Sequence, residues 1–164
     1  MIESGARNVR LVRLEELWPL MREQLEAGGT VTIPVTGTSM WPTLSGGRDS
    51  VTLTLPAGAP KRLELPLYRR RDGRFVLHRI ISLEPDGSFS CCGDHQWTPE
   101  RGLRPEQILA TVCVLHRKGR AISVRNPGYR LWVRLWAWLL PCRRLLFRLH
   151  SKAAALRKKI KRGS

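Results

Sequence analysis

The sequence predicts a mainly β domain of coiled antiparallel sheets, with a helix at its N-terminal end and an amphipathic helix at its C-terminal end. Three observations carry that expectation. Between Thr30 and Arg125, short β-branched or alternating segments are separated by Gly, Pro and Asp turns at close intervals. Before them, Leu11, Leu14, Leu17, Trp18, Met21 and Leu25 recur at helical spacing. After them, from Tyr129 to Leu149, Leu, Trp and Phe crowd a segment broken only by arginines. Residues 1–29, 30–125 and 126–164 are thus a helical segment, a β domain and a basic helical tail.

In order, the first helix ends at Gly28-Gly29, a C-cap pair, and Pro19 inside it marks the start of a second turn-initiated segment. Thr30 to Thr36 and Ser50 to Leu55 are strands, with a tight turn at Gly46-Gly47-Arg48-Asp49. Leu65 to Tyr68 is a strand and Arg69 to Gly73 a hairpin turn. Arg74 to Leu83 is the longest strand expected. Pro85-Asp86-Gly87 turns the chain into Ser88 to Cys92, and Gly93-Asp94-His95-Gln96 is a polar turn. Trp97 to Arg104 reads as a loop, Gln107 to Leu115 and Ala121 to Arg125 as strands. Asn126-Pro127-Gly128 is the boundary before the tail.

The chain of 164 residues carries a net charge of +16, and the charge is unevenly spread. Glu106 is the last carboxylate, and fifteen Lys and Arg follow it between Arg117 and Arg162. The longest uninterrupted apolar run of the tail, Leu135 to Cys142, is far short of the roughly 20 residues that span a bilayer. At about 100° per residue, Arg130, Arg134, Pro141, Arg144 and Arg148 fall on one stripe and the apolar residues over the rest. Tryptophans beside arginines on a broad apolar face suit an in-plane interfacial helix, with Trp132, Trp136, Trp138, Arg134 and Arg144 as membrane contacts. Lys152, Arg157, Lys158, Lys159, Lys161 and Arg162 extend it as a polybasic tail, each cation contributing about 1 kcal/mol near an anionic leaflet. The competing expectation is a helix that packs its apolar face on the β domain. Nucleic acid is expected only as a nonspecific partner, because the cations are interleaved with Leu and Trp and no recognition motif is present.

Cys91, Cys92, Cys113 and Cys142 show no metal-site spacing and read as reduced thiols, so no metal or organic cofactor is expected. Met1 to Arg13 lacks the apolar region of a secretory signal or anchor, which points to a reducing, cytoplasmic-side location.

The chemistry-bearing stretch is Val35 to Leu44. A β-branched run breaks at Gly37, presents Ser39 and is stopped by Pro42, which is the form of a nucleophile turn. A serine needs a base within hydrogen-bond reach. His78, a polar residue inside the apolar run Phe75 to Ile81, is either a core histidine or such a base; alternation puts it on one face with Val76 and Ile80.

Gly37-Thr38-Ser39-Met40-Trp41-Pro42, Gly47-Arg48-Asp49-Ser50-Val51, Leu77-His78-Arg79-Ile80-Ile81 and Gly93-Asp94, in that order, resemble the boxes of the superfamily containing type I signal peptidases and LexA-type self-cleaving repressors. The resemblance runs from about Val31 to Val114 and implies coiled β-sheets with a serine at a strand end. His78 before Arg79 resembles the endoplasmic-reticulum-type members, in which a histidine replaces the lysine base. The resemblance implies Ser39 as nucleophile, His78 as base and Asp94 as the group that orients or stabilises the imidazolium. It puts Thr38, Met40 and Pro42 beside the substrate, with the Ser39 N–H and the Thr38 hydroxyl as oxyanion donors. The chain departs from the family in the Arg48 inserted between Gly47 and Asp49, in Glu64 where a second Gly-Asp is usual, and in its basic C-terminal helix without an N-terminal anchor. The implied activity is a serine endopeptidase cutting a leader or signal-type peptide near a membrane surface. The alternative is an inactive peptidase-like module that holds a peptide there. Self-cleavage at Ala27-Gly28 is disfavoured by the short reach to Ser39.

Overall fold

The structure, a computed structural model, describes residues 14–145 and 147. Helix α1 (Leu14–Glu26) turns Leu14, Trp18, Met21 and Leu25 inward, while Leu17 and Leu20 face solvent. Pro19 stands inside α1 rather than opening a second segment: it lies on the exposed side, where water can take the carbonyl its missing N–H leaves. The helix closes as expected, with Gly28 at φ +80° and the N–H groups of Gly28 and Gly29 donating to the Leu25 and Gln24 carbonyls. The expected turn before Leu14 lies outside the described residues.

Every strand pairing is antiparallel. The larger sheet contains β1 (Val31–Pro34), β2 (Ser50–Thr54), β3 (Pro66–Arg69), β4 (Phe75–Leu77), β8 (Ile108–Arg117) and β9 (Arg120–Ser123). Its spine is β8, which pairs β2 along one side and β3 and β9 along the other. The smaller sheet has the order β5 (Arg79–Leu83), β6 (Phe89–Cys92), β7 (Glu100–Leu103). Alternating residues of β2 and β8 supply a core under α1 that includes Val51, Leu53, Ala110, Val112 and Leu115. Tyr68, Ile80, Phe89, Cys91 and Leu103 form a second core between the sheets.

Two sequence expectations are corrected here. The single strand over 74–83 is two strands in different sheets: Leu77 pairs Leu67, whereas Arg79 pairs Cys92, and His78 is the corner between them. Face alternation fails at that corner, and His78, Arg79 and Ile80 are all buried. The expected loop over 97–104 contains β7, whose Glu100 is anchored from the other sheet by Tyr68 and Arg70. Long-range contacts, not local pattern, make this segment a strand.

The C-terminal region is also corrected. Asn126 caps helix α2 (Pro127–Trp138) by accepting the Tyr129 N–H, so the expected boundary is a helix start. The helix packs on the β domain through Val133, Trp136 and Ala137, as the competing expectation had it. It is not continuous to Leu149: Pro141 sits in a 3₁₀ turn, Leu140–Cys142, after which Arg143 returns to the body and is fully buried. The polybasic tail lies outside the described residues. Among those residues, no helix is long and apolar enough to cross a membrane.

Candidate functional site

The turn after β1 is built from backbone hydrogen bonds that leave its serine at the rim. Gly37 adopts φ +71°, its carbonyl accepts the Gly46 N–H, and Trp41 N–H closes back on Thr38. A Cβ on Gly46 would lie 2.2 Å from the Gly37 carbonyl oxygen, so the two arms of the loop touch at backbone distance only because residue 46 is glycine. Leu44 and Met40 are buried beneath the turn, Thr38 is exposed and Ser39 is half-buried. Among the described residues, neither the Ser39 hydroxyl nor its N–H makes a hydrogen bond within the chain. The Trp41–Pro42 peptide is cis.

What the serine rests on is the turn after β6. His95 N–H donates to the Ser39 carbonyl at 2.7 Å, and a Cβ on Gly93 would come within 2.6 Å of that same oxygen. Only glycine lets the two backbones approach so closely. The ladder of the smaller sheet ends with Arg79 paired to Cys92, so His78 and Gly93 each adjoin a residue of that last pair. The Ser39 carbonyl thus borders Gly93, and His78 precedes Arg79, whose partner Cys92 precedes that glycine.

His78 is a buried imidazole whose Nδ1 has no hydrogen-bond partner. Tyr68 flanks it edge-on at 6.4 Å between ring centroids. Burial, helped by the Arg70 guanidinium and opposed by Glu100 and Asp94, lowers its pKa from 6.5 to about 4. At neutral pH the ring is then uncharged, the form that accepts a proton. Glu100 is held between the Tyr68 hydroxyl (2.7 Å) and the Arg70 guanidinium (2.6 Å). Burial works against its charge, but those two donors outweigh it and keep the carboxylate ionised.

The depressed imidazole sets a pH dependence. Between pH 6.5 and about 4 the unfolded chain binds a proton at His78 that the folded chain does not, so stability falls as the solution is acidified through that window. From this group alone the loss reaches about 3 kcal/mol. Urea unfolding of the wild type and of His78→Leu at neutral pH and near pH 4.5 is expected to show the smaller acid-induced loss in the variant.

Asp94 does not orient His78. Both its carboxylate oxygens are taken by Arg79, at 2.9 and 2.7 Å, in an ion pair with no solvent exposure on either side. The third Arg79 nitrogen donates to the Leu63 carbonyl and the Tyr129 hydroxyl. Burial opposes the Arg79 charge, yet the Asp94 carboxylate wins and raises its pKa. Asp94 acts on His78 only through space. Met40 is corrected as well, since its side chain lies in the core beneath the turn rather than facing a substrate. Asp49 is a buried brace that accepts from Arg48 and from the Ser45 and Lys118 N–H groups, which hold its pKa near 2. Burial pushes the Cys92 thiol up to about 11 and Cys91 higher still, so neither is an activated nucleophile.

The C-terminal region grips both turns. Trp132 Nε1 donates to the Thr43 hydroxyl and Trp136 Nε1 to the Asp94 carbonyl. Arg143 donates to the carbonyls of Gly93, Gln96 and Trp136 and lies over the Trp136 ring at 5.0 Å. Phe147 packs against His95 with tilted rings, 4.2 Å between centroids. Trp136 is therefore not a membrane contact, and the indole N–H of Trp132 is turned to the protein. Trp138, Arg134 and Arg144 are exposed. Sequence reading missed Arg143, although an arginine next to Pro141 and off the basic stripe was a signal that it is not part of the solvated face.

A cavity of about 350 Å³ opens beside this site, walled by His95, Gln96, Trp97, Arg70 and Glu100. A second, of about 490 Å³, lies along the flank of α2, and neither Ser39 nor His78 lines either cavity. Comparison of the chain with protein-family models, with curated proteins and with solved structures finds no match.

Proposed function

We propose that this chain is a serine endopeptidase of the signal peptidase and LexA-like kind, with Ser39 as nucleophile and His78 as general base, cutting an extended leader or signal-type peptide. The observation that carries the reading is a rim serine whose hydroxyl and N–H make no hydrogen bond among the described residues, seated by its carbonyl on the Gly93–His95 turn, in a chain whose His78 is a buried, neutral imidazole with an unpartnered Nδ1. A buried polar atom without a partner is costly, and such costs concentrate at working sites. In the reaction, the Ser39 oxygen bonds to the scissile carbonyl carbon as His78 takes its proton. The oxyanion is met by the unengaged Ser39 N–H and the adjacent Thr38 hydroxyl. His78 then gives the proton to the leaving amine as the C–N bond breaks, and water hydrolyses the acyl-enzyme by the same route. The cavity beside His95 would receive a substrate side chain.

The engagement of Asp94 by Arg79 favours a second reading, a noncatalytic module that only holds a peptide in this groove. A serine-directed acylating probe separates the two. Labelling at Ser39, located by mass, is expected to vanish in Ser39→Ala and to slow by about a thousandfold or more in His78→Gln. Failure of the folded wild type to label would leave the binding module as the reading.

A further inference from the structure

Helix α2 has two apolar faces, and only one is used. Val133, Trp136 and Ala137 pack on the domain. On the opposite side, Leu131, Leu135 and Trp138 stand 58%, 52% and 76% exposed, and Leu145 beyond the 3₁₀ turn is 61% exposed. At about 100° per residue, Leu131, Leu135 and Trp138 project on one side, directly away from Val133 and Trp136. Such a face is not explained by the core, which the other side of the helix already fills. Its surroundings are cationic: Arg130, Arg134 and Arg144 are exposed on the same segment. No carboxylate occurs anywhere after Glu106 to neutralise them.

We propose that this outer face docks on an anionic lipid bilayer, lying in its interface with Leu131, Leu135, Trp138 and Leu145 in the acyl boundary and the arginines at the phosphates. Exposed leucines and a tryptophan ringed by cations match the chemistry of that interface, where indole and aliphatic groups enter the headgroup zone and guanidinium groups stay with phosphate. A second copy of this chain is a poorer occupant, because a symmetric contact would bring Arg134 and Arg144 against like charges. Nucleic acid would leave the apolar residues without a role. The chain after Phe147 adds Arg148, Lys152, Arg157, Lys158, Lys159, Lys161 and Arg162 to the same end of the molecule in sequence. The opposite face of the same helix holds the Gly93–Gln96 turn through Trp136, and Arg143 beyond the 3₁₀ turn adds to that grip, so the docked surface and the turn that seats Ser39 share one element.

Flotation of the full chain with phosphatidylcholine vesicles, with and without about 30 mol% phosphatidylserine, tests this. The wild type is expected to float with the anionic vesicles and weakly with neutral ones. The double variant Leu135→Ser, Trp138→Ser is expected to lose about tenfold or more of that partitioning while its urea unfolding curve is unchanged, since both side chains already face solvent. No flotation overturns the proposal, and so does flotation that the double variant leaves intact, which would reduce the effect to the polybasic tail. A lipid-free dimer, or retention of duplex DNA, that disappears in the same double variant would assign the face to that occupant instead.

Discussion

Asp94→Asn is expected to lose about 3–5 kcal/mol of stability, enough to leave a domain of this size largely unfolded. The reason is that two buried guanidinium groups depend on one carboxylate. Arg79 and Arg143 are both without solvent exposure, and Asp94, equally buried, pairs directly with the first and acts through space on the second. Asparagine keeps the shape but removes the carboxylate that compensates them. The loss of one partner of a buried pair is far more damaging than the loss of both, because it strands the other ion. Arg79→Met combined with Asp94→Asn is accordingly expected to be more stable than Asp94→Asn alone, by urea unfolding followed through circular dichroism. A double variant no more stable than the single one would mean that the pair contributes shape and hydrogen bonds rather than charge balance.

That prediction also marks where sequence reading stopped. The boxes around Ser39, His78 and Asp94 were visible as residue types in order, and the structure sets the Ser39 carbonyl against Gly93, the residue before Asp94, and pairs Asp94 with Arg79, the residue after His78. What the order of residues did not contain was the choice Asp94 makes between two neighbours, His78 and Arg79. Alternation assigns those neighbours to opposite faces, but at the corner between β4 and β5 both are buried, and the bidentate guanidinium wins the carboxylate. Turn chemistry was legible because it is local: Gly28, Gly73 and Gly87 all take positive φ where turns or a cap were expected. The division of the strands between two sheets was not, since it rests on pairings such as Leu67 with Leu77 and Arg79 with Cys92. The tail shows the same limit in another form. Tryptophans next to arginines suit a bilayer and a protein surface alike, and the Thr43 hydroxyl and Asp94 carbonyl that receive Trp132 and Trp136 lie 89 and 42 residues away in the chain.

Arg143→Met is expected to cost about 3 kcal/mol and to loosen the seat of Ser39 without touching it. The guanidinium ties the last described turn of the chain to the first half of the candidate site: it donates at 3.2 Å to the Gly93 carbonyl, 3.3 Å to that of Gln96 and 2.8 Å to that of Trp136. Methionine fills much of the same volume but removes a donor from all three carbonyls, of which Gly93 keeps the Gln96 N–H. Burial already lowers the Arg143 pKa, so the arginine is held there by those acceptors and by Asp94 against its own desolvation. The turn it releases is the one whose His95 N–H holds the Ser39 carbonyl at 2.7 Å. Hydrogen exchange reads that bond directly, and the His95 amide is expected to exchange about ten- to a hundredfold faster in the variant, while amides of β8 change only by the loss of global stability. Arg143→Lys is expected to fall nearer to methionine than to the wild type, because an ammonium on a flexible stem does not span three carbonyls in the plane that a guanidinium does. Uniform acceleration across β8 and His95 alike would mean that Arg143 supports the fold as a whole and not the turn beneath Ser39.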